Sequence, residues 1–154
     1  MDEGVRPVEA VDINRYVGRW FEIARFPAFF QRKCAKNTVA EYSLAPNGKL
    51  RIENRCTTER GRIIRARGSA RLVDQSGAKF KVKFFPLMPA ADYWIIDLDT
   101  EYRWAVVSEP QRRFLWILSR TPGLDGATLD GILQRLRGQR YDVERLVLGR
   151  QDGA

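Results

Sequence analysis

With 154 residues, 44% of them apolar and 30% charged, the chain has material for one hydrophobic core and reads as a single domain over 1–154. Its formal charge of +8 is carried mostly by arginine, and no apolar run approaches the roughly 20 residues of a membrane-spanning helix. Histidine is absent, which removes the usual base of a Ser or Cys triad and the commonest zinc and haem ligand; two cysteines are too few for a metal cage. No cofactor and no metal are expected. Residues 1–7 show no basic segment followed by an apolar one, so no secretion signal is read there.

Taken in chain order, apolar runs near the two ends and alternation of apolar and polar residues along the middle, punctuated by turn residues, predict strands over 20–25, 38–44, 50–56, 63–73, 79–84, 93–98, 104–108 and 114–119. Asn47-Gly48 makes a hairpin turn between the second and third, and 74–77 turns the fourth into the fifth. After Pro122 the period changes: Leu129, Ile132, Leu133 and Leu136 recur on one helical face, with Asp125 as N-cap and Gly138 as stop, which predicts a helix over about 126–137. A short last strand over about 143–148 follows. The expected fold is all-β: an eight-stranded antiparallel up-and-down barrel over about 18–119 with one helix packed outside.

Parity assigns the faces. Ala40, Tyr42 and Leu44 point inward with Leu50, Ile52, Asn54 and Cys56; Ile64, Ala66, Gly68 and Ala70 face Phe80, Val82 and Phe84; Tyr93, Ile95, Phe114, Trp116, Leu118 and Arg120 complete the inside. Small residues on one wall and rings on the other leave room for a ligand. The cations at 51, 55, 65, 67, 71, 79, 81 and 83 alternate with them and read as solvated outer faces. The parity of 104–108 stays open. Up-and-down connectivity gathers Trp20, the Asn47-Gly48 turn, the turn at 99–102 and Arg120 at one end, where the guanidinium can stack on the indole. Loops at 27–36, 57–62, 86–92 and 110–113 gather at the other. Glu22 shares the inward parity of Trp20 and is expected to pair with Arg120.

Three separated pieces carry a resemblance: Gly18-Arg19-Trp20 at the first strand, Asp99-Thr100-Glu101-Tyr102 in a turn, and Arg120 after Trp116-Ile117-Leu118-Ser119. Together with 14–26 and 116–122 they make the chain similar to the lipocalin family, in particular its bacterial outer-membrane and apolipoprotein D-like branch, over about 11–148. Two features depart from it. No cysteine precedes Cys34, so no lipid anchor is read, and Asp99 and Tyr102 are separated by two residues where the family usually has Thr-Asp-Tyr.

The resemblance implies carriage of a small hydrophobic molecule, a fatty acid or lysophospholipid in the bacterial branch, in the cell envelope, and no catalysis. Phe80, Val82, Phe84, Trp116 and Leu118 are then expected to line an acyl chain, with Tyr42, Asn54 and Tyr93 as polar handles. Phe29, Phe30, Leu87 and Met88, beside Arg32, Lys33 and Lys36, read as a mouth that docks on an anionic membrane, as a homodimer contact, or as loops folded on their own barrel. Cys34 and Cys56 are either one disulfide, pinning the first long loop in an oxidising compartment, or two thiols. As thiols they allow an alternative, a thiol-dependent enzyme using Cys34 or Cys56 as nucleophile. Nucleic acid is not an expected partner, because the aromatics alternate inward while the cations point out.

Overall fold

The structure, a computed structural model, describes residues 4–84 and 89–152. One antiparallel sheet contains β1 (Gly18–Arg25), β2 (Lys36–Leu44), β3 (Leu50–Thr57), β4 (Ile63–Leu72), β5 (Lys79–Phe84), β6 (Ala91–Leu98), β7 (Trp104–Ser108), β8 (Leu115–Ser119) and β9 (Val147–Leu148). The first eight follow one another around the sheet, and β1 bonds to both β2 and β8, which closes the predicted barrel. Halfway along, β1 changes neighbour: Gly18 to Phe21 pair with β2, whereas Ala24 and Arg25 pair with β9. The ninth strand therefore lies outside the closed eight.

Two apolar layers hold the fold. Inside the barrel Trp20, Tyr42, Ile52, Phe80, Val82, Ile95 and Leu118 pack together. Outside it Ile96, Val106, Leu115 and Ile117 meet Ile132 and Leu136 of helix α2 (Gly126–Gly138). This helix begins where expected, because the Asp125 carboxylate accepts from the Thr128 N–H at 3.1 Å and its predicted stripe has a wall to bury against. It also settles β7. Trp104 and Val106 face the helix side while Ala105 and Val107 face the interior, so both faces are buried and no alternation is visible in the sequence.

Several expectations are corrected. Residues 143–148 do not form one strand: Val143–Arg145 is a single 3-10 turn capped by Asp142, and only Val147–Leu148 pairs. β8 begins at Leu115, leaving Phe114 outside it, stacked on Trp116 with ring centroids 5.9 Å apart. Leu44 is exposed rather than inside, since it ends β2 at the hairpin rim. A short helix not foreseen, α1 (Ile13–Tyr16), is capped by the Asp12 carboxylate and crosses the Trp20 end. Leu87 and Met88 lie outside the described residues.

Candidate ligand cavity

The closed end is built from the three signature pieces. Arg120 leaves β8 with its guanidinium carbon 3.7 Å from the Trp20 ring centroid. Its N–H groups donate to the carbonyls of Arg15 (2.7 Å), Tyr16 (3.1 Å), Val17 (3.0 Å), Arg19 (2.9 Å) and Tyr102 (3.3 Å). One side chain thus satisfies the orphan carbonyls at the end of α1 and ties β1, β8 and the 99–102 turn together. Gly18 is required here: its φ is +111°, and a Cβ would lie 3.1 Å from an Arg120 nitrogen. In the turn Asp99 accepts from the Arg103 backbone N–H (3.0 Å) and guanidinium (2.7 Å), and the guanidinium bond holds the carboxyl below its usual value. Tyr102 accepts from the Asp12 N–H through its hydroxyl at 2.8 Å and carries the Arg15 guanidinium on its ring.

Immediately above the Trp20 indole, whose N–H donates to the Tyr16 carbonyl at 2.8 Å, stands a chain of three phenols. The Tyr16 and Tyr93 hydroxyl oxygens are 2.6 Å apart, and those of Tyr93 and Tyr42 are 2.9 Å apart. Burial pushes the Tyr42 hydroxyl up to about 12 and those of Tyr16 and Tyr93 well above their ordinary value, so all three are neutral at physiological pH. With Leu50, Ile52, Ala70, Phe80 and Val82 they line a cavity of about 10 Å³. The sequence pattern does not reveal Tyr16, since a four-residue helix is too short to show a period.

Of the expected lining residues, Tyr42, Phe80, Val82 and Tyr93 meet at this cavity, and Leu118 packs in the same core. Phe84, Trp116 and Asn54 stand nearer the opposite end, where the 29–35 segment and the β3–β4 hairpin lie. Trp116 is half-buried under the turn Phe29–Gln31: its indole N–H donates to Gln31 Oε1 at 3.0 Å, and the Phe30 ring lies 6.3 Å from it. Asn54 keeps its Oδ1 buried without a hydrogen-bond donor. Exposure along the inner face of β4 rises toward that end: Ala70 is buried, Gly68 half-buried and Ala66, opposite Asn54, exposed. At Gly68 a Cβ would lie 2.8 Å from the Phe84 ring, so the missing side chain gives the ring its place.

Glu22 does not reach Arg120. A bulge between Glu22 and Ala24 interrupts the pairing of β1 with β8, and the buried carboxylate accepts from Arg25 (2.6 Å) and Gln31 (3.0 Å) instead. Cys34 and Cys56 are joined in a disulfide with Cα atoms 5.4 Å apart, fastening the 29–35 segment to β3. Lys36, expected at the mouth, is paired with Asp152. Among the described residues no group of carboxylate or thiol side chains could hold a metal.

A family model described as a lipocalin-like domain matches residues 11–151. Temperature-induced lipocalin-1 of Arabidopsis thaliana is 37% identical over 147 residues, covering 90% of this chain and 78% of the plant protein. The outer membrane lipoprotein Blc of Escherichia coli K12 is 37% identical over 153 residues, covering 98% and 85% of the two chains. Apolipoprotein D of Mus musculus is 35% identical over 147 residues, covering 90% and 76%. Among solved structures, insecticyanin of the tobacco hornworm Manduca sexta superposes with a TM-score of 0.78 at 22% identity, over 97% of this chain and 85% of its own; that likeness concerns the fold.

Proposed function

The chain belongs to the lipocalin family, and from that premise we propose that it carries one small hydrophobic molecule, a fatty acid or a lysophospholipid, in the barrel. The observation that carries this reading is the inner wall of β4, which is buried at Ala70, half-buried at Gly68 beside Phe84 and exposed at Ala66. A barrel closed by Trp20 and Arg120 and open at its other end has the form of a cup. Burying about eight methylenes at roughly 0.8 kcal/mol each offsets a large part of the cost of association. Phe80, Val82, Phe84, Trp116 and Leu118 form the acyl wall in this proposal, and Tyr42, Asn54 and Tyr93 are its polar groups.

The proposed place of work is the cell envelope. The name of the Blc relatives, outer membrane lipoprotein, and a disulfide suited to an oxidising compartment support it. A thiol-dependent enzyme is not favoured, because each sulfur is bonded to the other.

Native mass spectrometry with lipid extraction of the purified protein, backed by quenching of tryptophan fluorescence with palmitate and lysophospholipid, tests the proposal. A co-purifying lipid or saturable 1:1 quenching at micromolar affinity or better is expected. No lipid and no saturation would mean that side chains fill the barrel.

A further inference from the structure

At the open end, beside the mouth rather than in it, a surface groove of about 810 Å³ runs between the 29–35 segment and the β3–β4 hairpin. Arg32 and Lys33 stand on one lip and Arg60 and Arg62 on the other, against the single acid Glu59. All four cations are exposed, and no ion pair among the described residues engages them. The contrast with the closed end is sharp: there Arg120 is held by carbonyls, Arg103 by Asp99 and Arg15 by the Tyr102 ring. The disulfide at Cys34 fixes one lip to the strand that carries the other, so the four charges are held apart at a set spacing before anything binds.

Two further observations give this end its character. Phe29 is 67% exposed and Ile63, at the start of β4, is 57% exposed, so large apolar side chains project among the cations. On the outer face below the hairpin Arg65 lies directly across from Arg55, and Arg71 across from Lys81. Arg55 is paired with Glu41 and Lys81 with Asp92, so of these four the positive charge outside the groove is that of the exposed Arg65 and Arg71.

We propose that this end docks on an anionic phospholipid bilayer, with Arg32, Lys33, Arg60 and Arg62 on lipid phosphates and Phe29 and Ile63 entering the interfacial layer. The proposal rests on the lipid-carrier reading only for its purpose, since docking would bring the mouth of the cup to its ligand's source. Charge complementarity selects the occupant. A second copy would bring four cations against four cations on a chain of net charge +8, and a nucleic acid would leave Ile63 without a partner.

The test is flotation of the full chain with vesicles of pure phosphatidylcholine and of phosphatidylcholine containing 30% phosphatidylglycerol, at low and at 0.5 M salt. Binding to the anionic vesicles alone, lost at high salt, is expected. Each basic residue near such a surface contributes about fivefold, so the R60E/R62E variant should partition at least about 25-fold more weakly. Near-UV circular dichroism and the Tm of the same variant report whether its barrel is intact, and palmitate is titrated against the parent chain. The proposal is overturned by equal binding to neutral vesicles, by no binding to either, by unchanged binding of a folded R60E/R62E protein, by tighter binding of duplex DNA at matched salt, or by a dimer that persists on vesicles. If vesicles bind and palmitate does not, the carrier reading fails while the docking stands. If palmitate binds and vesicles do not, the docking fails and the carrier reading stands.

Discussion

Replacing Arg120 with Ala removes the one side chain that joins all three signature pieces. Five backbone carbonyls lose a donor, and Trp20 loses the cation on its face. The bonds to Arg15 and Arg19 are exposed, so water replaces them at little cost. Those to Tyr16, Val17 and Tyr102 are partly buried, but one nitrogen serves two of them together with Arg15, so they amount to about two full charge-assisted bonds at roughly 1.5 kcal/mol each. The cation on the indole adds about 1 kcal/mol. The expected loss is about 3 to 4 kcal/mol, measured as the free energy of unfolding in urea by linear extrapolation at pH 7, or as a fall in Tm of roughly 8 to 14 °C for a chain of this size. Arg120→Lys keeps the charge but cannot span the carbonyls and should lose at least about half as much. A loss below about 1 kcal/mol in Arg120→Ala, or a Lys variant as stable as the parent, would refute the clamp.

Three shorter predictions accompany it. Cys34→Ser opens a loop of 22 residues in sequence separation and should cost about 3 kcal/mol on the chain-entropy estimate; coincident urea transitions of variant and parent would contradict this. Alkaline titration followed at 295 nm should leave Tyr16, Tyr42 and Tyr93 protonated past pH 10 while the fold persists. Because the folded chain keeps protons that the unfolded chain releases above about pH 10, stability should be fully present below that value and fall as pH rises toward 12, the pKa to which Tyr42 is pushed. Native ionisation of all five tyrosines near pH 10 would show the phenol chain to be open. Ala66→Trp, placing a ring on the exposed inner wall, should weaken palmitate at least about tenfold with little change in Tm, and unaltered affinity would remove that wall from the ligand's path.

The barrel was legible because β2 to β5 show their faces as a two-residue alternation, and the parity that put Trp20 and Arg120 at one end needed no side-chain detail. It failed where that signal is blind. In β7 and β8 both faces are covered, so Trp104 to Val107 and Leu115 to Leu118 read as uniformly apolar. At Glu22 a one-residue bulge changed the neighbours of a carboxylate, and its charge alone could not choose between Arg25 and Arg120. Tyr16 sits on a helix of barely one turn, and 143–145 form a 3-10 turn set by the Asp142 cap, so neither repeats long enough to have a period. The expected lining residues divide by depth, Tyr42 and Tyr93 near the floor and Asn54 and Trp116 toward the mouth, and residue order around a closed sheet carries no information on depth until the register is known.

Depth decides which end of an acyl ligand enters first. Three phenol oxygens in two contacts own three protons, so one O–H points out of the chain, beside a cavity lined otherwise by apolar side chains. A carboxylate or phosphate brought there would meet neutral donors and no cation that is free of its own carbonyls, and burying an uncompensated charge costs several kcal/mol. A methyl end brought there leaves one phenol donor unpaired, at about 1 to 3 kcal/mol. The smaller penalty wins: the chain end descends to the phenols and the charged head stays at the end away from Trp20. A palmitate labelled with a bulky fluorophore beside its carboxylate should therefore bind at least about tenfold more tightly than one labelled at its terminal carbon. A terminal hydroxyl on the same chain would accept the spare phenol proton, so 16-hydroxypalmitate should gain about two- to tenfold over palmitate, the span of one net hydrogen bond. Tighter binding of the tail-labelled probe would mean that the head goes in first, and the penalty assigned to the buried carboxylate would then be the step in error.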